Sequence, residues 1–241
     1  MSKAGKTGVT TNTPKNILFG AGTIHKNLTY TAPEYVLTSD SALVTGKDYY
    51  TRSGDEGAYT YTKVTSPVVG NIGTYYELTE GSWNFESSII GATSGGSKVT
   101  ITPEITTVEA DGALVRVKGL DVKTGEVAEM EINFLEMTKD IIKSAIIGAD
   151  GTSADSAYDL IESKPDIEAG DYLENIAFVG KTLGGKKIIF IMDNALCTSG
   201  LESEGANKEA GVGTYTFACY AELDSDLDKL PYHIYYPKAT T

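Results

Sequence analysis

Apolar and polar residues alternate along much of the second half of this chain. Residues 126–134, EVAEMEINF, put Ala128, Met130, Ile132 and Phe134 on one face and Glu129, Glu131 and Asn133 on the other. A period of two over nine residues predicts a β-strand with one face in a core and one in water. Residues 99–105, VTITPEI, alternate in the same way, with Pro103 marking a break. Asp111-Gly112 marks a turn into 113–122, ALVRVKGLDV, where Arg116 and Lys118 face away from Val115 and Val117. Lys123-Thr124-Gly125 marks the next turn. Further strands are predicted at 172–180, 186–195, 213–223 and 231–237, and in the third of these Cys219 shares a face with Tyr215 and Phe217.

One segment has helical rather than strand periodicity. Thr138 is a suitable N-cap, Ile141, Ile142, Ala145 and Ile146 form an apolar stripe, and Gly148 is a natural C′ residue. Residues 153–163, SADSAYDLIES, predict a second, shorter helix. Residues 200–213 form a long charged loop, and 1–15, rich in Lys, Thr, Gly and Asn, a flexible arm. Residues 16–30 predict a short apolar segment, a glycine turn and a strand.

Residues 33–81 have another texture. They hold seven of the fifteen tyrosines and two similar pieces, Gly46-Lys47-Asp48-Tyr49-Tyr50-Thr51 and Gly73-Thr74-Tyr75-Tyr76-Glu77-Leu78. Between these lie a turn, SGDEG, and a strand that puts Tyr59 and Tyr61 on one face. The pattern as a whole predicts a mainly β protein. An antiparallel β-sandwich or barrel-like domain over 16–32 and 82–241 carries one flanking α-helix, and 33–81 is an inserted Tyr-rich β-meander.

Composition narrows the function. A chain of 241 residues can bury a sizeable core without staples, so Cys197 and Cys219 are expected as free thiols. The N-terminus has no apolar run of the secretory kind and no stretch has transmembrane length, so a soluble protein made in the cytoplasm is expected. Without secretion the sequon Asn27-Leu28-Thr29 is a chance match. The net charge is −13, and only Arg52 and Arg116 supply guanidinium groups. Phosphate recognition relies on clustered forked cations, so this balance argues against nucleic-acid binding.

Candidate chemistry is sparse. Residues 91–98, GATSGGSK, lack the Gly-Lys-Ser/Thr ending of a phosphate loop and lead into a strand, so they predict a tight connection. Gly20-Ala21-Gly22 opens a dinucleotide-like pattern, but His25 stands where a glycine is needed. His25 and His233 have no nucleophile motif beside them, and two distant histidines with two distant cysteines make no zinc site. Asp224, Asp226 and Asp228 are spaced like a calcium loop, but Lys229 takes the glycine position and no closing glutamate follows. No catalytic, cofactor-binding or metal-binding residue is expected.

The chain resembles the major tail tube proteins of long-tailed bacteriophages. The likeness is carried by Ile90-Gly91-Ala92-Thr93-Ser94-Gly95-Gly96-Ser97-Lys98, by Glu109-Ala110-Asp111-Gly112 and by Val117-Lys118-Gly119. Residues 16–27, 171–194 and 230–237 extend it in the expected order across most of 16–237. Residues 33–81 depart from the shortest members and resemble Tyr-rich insertions of some phage tail proteins. The given sequence ends soon after 230–237, so the extra immunoglobulin-like domain of some relatives is expected to be absent.

The resemblance implies a hexameric ring whose subunits share an inner barrel. Rings stack into a tube around a tape-measure protein, bounded by tail tip and terminator proteins, in a virion tail assembled in the bacterial cytoplasm. The tube then conducts DNA without holding it. Six copies at −13 would give −78 per ring. Glu129 and Glu131 are the expected lumen-facing residues, because they face away from the apolar side of their strand. Expected assembly contacts are Ile17, Phe19, Ile141, Ile142 and Ile146, which could equally be ordinary core. Two other readings stay open. One is the inner tube of a contractile tail or injection system. The other is a Tyr-rich module that binds carbohydrate. A hydrolase would need a convergent acid–base pair that the sequence does not display.

Overall fold

The computed structural model describes residues 13–112, 114–202, 211–225 and 227–238. It is mainly β, with antiparallel sheets. In chain order the elements begin with one helical turn, α1 (Thr13–Asn16), and β1 (Thr23–Lys26). Six short strands follow: β2 (Tyr30–Thr31), β3 (Glu34–Leu37), β4 (Tyr50–Ser53), β5 (Thr60–Lys63), β6 (Tyr76–Thr79) and β7 (Ser82–Trp83). Two long strands come next, β8 (Thr93–Thr107) and β9 (Asp121–Phe134), then α2 (Lys139–Ile146). The remainder is β10 (Gly148–Gly151), β11 (Leu160–Ser163), β12 (Leu173–Lys181), β13 (Lys187–Cys197), β14 (Gly213–Cys219) and β15 (Tyr232–Tyr235). The chain divides into two compact units, one of residues 29–84 and one of everything else. The stretch 33–81 falls inside the first of these.

In the larger unit the main sheet runs β1-β12-β13-β14-β9-β8, with β15 also pairing β13. The two ends of this path meet. The segment leading into β8 bonds the outer edge of β1, through Lys26 N–H to the Ser88 carbonyl at 2.8 Å and Ile90 N–H to the Ile24 carbonyl at 3.1 Å. The sheet therefore curls back on itself, and its concave side holds the core. Met130, Ile132 and Phe134 of β9 meet Tyr215, Phe217 and Cys219 of β14, with Ile176 and Phe178 of β12 and Ile141 and Ala145 of α2 in the same cluster. Burying each large apolar side chain contributes about 1.5–3 kcal/mol.

β13 has a phase jump. Phe190 and Met192 face the core, then Ala195 and Cys197 do, because Asn194 takes a left-handed backbone at φ 49°. This lets one strand pair β15 with its first half and β14 with its second. Ala177, Val179, Ile189 and Ile191 on the opposite face are buried too. Burial on both faces is why these segments read as continuous apolar runs rather than alternating ones.

Five sequence expectations need correction. Residues 153–158 are held as turns by Ser153 and Asp155, whose side chains bond neighbouring backbone, and 160–163 is strand β11 paired with β10. Such local bonds compete with a helix. Residues 113–120 are not strand: the described ones are loop, with Val115 and Val117 exposed, because no second layer lies under the alternating pattern. Lys123-Thr124-Gly125 is not a turn but lies inside β9, where the register shift opposite Glu104 and Ile105 absorbs one extra residue. Pro103 does not break β8, since this is an edge strand where proline's missing N–H costs little. At α2, Thr138 caps the N-terminus as expected, accepting from Ile141 N–H at 3.3 Å, but Ile147 at φ 52° is the left-handed residue and Gly148 already belongs to β10.

Tyr215 is fully buried, and its hydroxyl has no hydrogen-bond partner among the described residues. A lone buried hydroxyl is a desolvation cost. Tyr215→Phe is therefore expected to leave stability unchanged or raise it by about 1 kcal/mol. Urea unfolding measures this, and a loss of stability would mean that the hydroxyl has a partner in solution.

In the smaller unit the sheet order is β3-β6-β4-β5, with β2 and β7 pairing where the chain enters and leaves. The two similar sequence pieces come together here. Tyr49 and Tyr75, the first tyrosine of each, are buried with rings 5.7 Å apart, and Tyr50 and Tyr76, the second of each, pair in register. Lys47 bonds Asp40 at 2.7 Å and Glu77 at 2.8 Å, Tyr49 donates to Asp40, and Thr38 donates to Glu77. The two carboxylates hold the Lys47 ammonium above its usual range, and Lys47 with Tyr49 holds Asp40 below its own.

Candidate functional site

The feature that the fold sets up most clearly is a polar sheet face ending in a free edge. Opposite the core, β9 presents Glu129, Glu131 and Asn133. Their cross-strand neighbours are Thr100 and Lys98 on β8 and Ala218, Thr216 and Thr214 on β14. The Asn133 amide donates to the Gly96 carbonyl at 3.1 Å and its oxygen accepts from the Thr214 hydroxyl at 2.7 Å, which ties the three strands together on this face. Gly95 and Gly96, with φ of 78° and 87°, form the irregular start of β8 where the sequence shows its glycine-rich segment. Thus 93–98 of this segment open strand β8.

Glu129 and Glu131 do share the face predicted for them, Glu131 exposed and Glu129 half-buried. Sequence reasoning missed Lys98, which lies directly opposite Glu131 and offsets part of the charge. That pairing becomes visible only when the register is known. The result is a hydroxyl-rich surface with a small excess of negative charge and no guanidinium group, which has little to offer a phosphate.

Among the described residues β8 pairs only with β9, which leaves one edge of this fifteen-residue strand without a neighbour. Beyond the core the β8–β9 hairpin continues as an arm, with Ile105, Val122 and Val127 exposed. Its connecting loop is closed by Val108 N–H bonding the Leu120 carbonyl at 2.8 Å, and Leu114 and Val115 on that loop are 98% and 77% exposed. Edge strands with exposed apolar groups are where chains pair with other chains.

The expected contact residues are divided. Ile17 and Phe19 are exposed, Phe19 by 70%, on a segment that extends the sheet through Phe19 N–H to the Lys181 carbonyl and Leu183 N–H to the Ile17 carbonyl, both at 2.9 Å. Ile142 and Ile146 are half-buried. Ile141 is 7% exposed within the core cluster of its own chain, so it has no surface to give to another.

The structure does bring one serine and one histidine together. Ser88 Oγ lies 2.9 Å from His25 Nδ1, and Thr23 Oγ1 lies 2.7 Å from Nε2. Both His25 and Ser88 are buried, and Ser88 Oγ also donates to the Phe85 carbonyl at 3.4 Å. Thr23 and Ser88 together engage both ring nitrogens and pin the seam where β1 meets the lead-in to β8.

Burial, reinforced by the nearby Lys187 ammonium, holds His25 below its usual 6.5, and a hydrogen bond to the Phe85 backbone opposes this in part. The unfolded chain therefore takes up a proton more readily than the folded one. Stability is complete above 6.5 and declines as the pH falls below it. Lys187, Lys181 and Glu86 are the charged groups beside this seam. Protection factors of the amides in 85–92, corrected for the intrinsic pH dependence of exchange, are expected to fall on acidification in the wild type and much less in His25→Gln. Parallel pH profiles for the two would sink the assignment.

His233 Nε2 lies 3.2 Å from Asp193 Oδ2, and burial raises the Asp193 carboxyl despite that imidazole. Cys219 is nearby but inert: burial first, then Asp193, push its thiol up to about 12. Cys197 and Cys219 are free and buried. Asp226 lies outside the described residues, as do 1–12 of the N-terminal arm and most of the 200–213 loop. Among the described residues no three His, Cys, Asp or Glu side chains converge to hold a metal, and no helix is long and apolar enough to cross a membrane.

The tyrosines of the smaller unit face one another. Tyr35 stacks on Tyr61 at 4.0 Å and 8°, Tyr50 and Tyr76 meet this pair edge-on, and the Arg52 guanidinium covers the faces of Tyr59 at 4.2 Å and Tyr76 at 4.9 Å. Sugar recognition needs flat ring faces open to solvent. Here several of those faces are already occupied, which weighs against the carbohydrate reading.

No protein-family model matches this chain, and no curated protein matches it in sequence.

Proposed function

We propose that this chain is a structural, self-associating subunit of a bacteriophage tail tube, not an enzyme. One observation carries the reading: among the described residues the long edge of β8 has no neighbour, and it continues into an arm with exposed apolar residues. A ring closed by copies of the chain removes such edges by pairing them with neighbours. The order of motifs that resembles the tail tube proteins points the same way. In this reading the subunits form hexameric rings that stack around a tape-measure protein between tail tip and terminator proteins. The hydroxyl-rich, weakly acidic face of β8, β9 and β14 lines a channel through which DNA passes without specific binding. The assembly belongs to the virion tail and has no membrane partner.

Electron microscopy of the purified full chain tests this, alone and with tail assembly partners. Uniform rings or hollow tubes are the expected result. A protein that stays monomeric at high concentration with those partners present would falsify the reading.

A further inference from the structure

The smaller unit repeats itself at a spacing of 26 positions. Tyr35 and Tyr61, Tyr49 and Tyr75, and Tyr50 and Tyr76 are each 26 apart in the chain. So are β3 and β5, and β4 and β6, end for end. The pairing obeys the same shift. Tyr35 of β3 faces Leu78 of β6, and its counterpart Tyr61 of β5 faces Arg52 of β4, the counterpart of Leu78. The other pairs of the two ladders match in the same way. Bonds outside the ladders repeat too. Thr38 N–H bonds the Tyr75 carbonyl at 2.9 Å, and Val64 N–H bonds the Tyr49 carbonyl at 2.8 Å. The Tyr49 hydroxyl accepts from Val44 N–H at 3.0 Å, and the Tyr75 hydroxyl from Val68 N–H at 3.1 Å. Tyr35 meets Tyr50 at 4.9 Å and 71°, and Tyr61 meets Tyr76 at 5.3 Å and 70°.

Each repeated tyrosine also meets its own counterpart. Tyr35 stacks on Tyr61, Tyr49 lies against Tyr75, and Tyr50 pairs with Tyr76. Contact between equivalent positions is the mark of a two-fold axis, as in an isologous dimer. Among the described residues β3 does not pair with β4, nor β5 with β6; every ladder of this sheet joins one half to the other. We infer that the smaller unit is a fused pair of one self-associating motif, residues 34–53 and 60–79, and that the partner each motif recognises is a second copy of itself. A single motif holds two strands that do not pair with each other, so it gains a sheet only from its twin. The ladders and ring contacts keep the symmetry even where side chains differ: Lys47, which ties Asp40 to Glu77, has Gly73 as its counterpart. This pairing takes place within one chain and holds whether or not copies assemble into a tube.

A full-length chimera tests it. Residues 60–79 are replaced by the sequence of 34–53, which has the same length, except that Glu77 is kept so that Lys47 retains both carboxylates. A control carries the residues of 34–53 in shuffled order at the same place, also with Glu77 kept. Hydrogen exchange followed by mass spectrometry reads the amides of the unchanged strand β4, which lies between β6 and β5. The chimera should keep their protection within about tenfold of the wild type, and the shuffled control should lose it by about a hundredfold or more. A chimera that loses protection as the control does overturns the inference, since the first motif then fails to serve as its own partner. Equal protection in chimera and control overturns it too, because the pairing then does not depend on the motif. So does a wild type without protection in β4.

Discussion

Phe134→Ala is expected to cost the fold about 3–5 kcal/mol, enough to remove much of the stability of a typical domain. Phe134 is fully buried at the end of β9, and its backbone pairs with Thr93 on β8 and Gly213 on β14. Its ring lies 5.8 Å from that of Tyr215. Truncation leaves a void where three strands and α2 converge, and the surrounding strands are hydrogen-bonded in register and cannot close in to fill it. Urea unfolding followed by circular dichroism should show the midpoint collapse. A loss below about 1 kcal/mol would mean that the core repacks freely around the missing ring.

In the proposed tube, replacing Glu129 and Glu131 together by lysine is expected to turn a wall that lets DNA pass into one that holds it. Each substitution adds two positive charges, so the protomer moves from −13 to −9, and Lys98 then faces a like charge instead of Glu131. If six phosphates are contacted, affinity should fall roughly a thousandfold between about 50 and 200 mM salt. Short linear duplexes should sediment with the variant tubes at low salt and not with wild-type tubes. Closed circular DNA cannot thread a channel, so it separates the two walls. Variant tubes that retain circular DNA as well would place these residues on the outside.

The legible parts of this protein were those where one physical cause acts locally. The alternation in 126–134 identified the core face of β9 residue by residue, because a strand with one wet face must alternate. Thr138 and the stripe after it identified α2, because capping and a 3.6-residue period are both local. Cys219 was recognisable as a small buried hydrophobe from its place beside Tyr215 and Phe217. The two similar pieces ending in Tyr49-Tyr50 and Tyr75-Tyr76 were visible in the sequence, though not that the first tyrosine of each is buried and the second faces its partner.

The misreadings have a common origin. Val115 and Val117 alternate with cations as strand residues do, yet they lie in an exposed loop, because alternation specifies a strand only where a second layer waits to cover it. Gly125 and Pro103 look like punctuation, but a bulge accommodates one and a free edge the other. The phase jump at Asn194 follows from β13 serving two neighbours in turn, a demand set by strands far away in sequence.

By itself, then, the sequence determined the β class, the amphipathic strands, the single substantial helix and the absence of familiar catalytic spacings, all consequences of residue type over a few positions. Tertiary structure alone decided how the sheet closes at the His25 seam, which carboxylate faces Lys98, which isoleucine of α2 is consumed by the core, and that β8 ends the sheet with an open edge. These depend on register and on which strands become neighbours, and such contacts are set by long-range packing of the whole core rather than by the residues that make them.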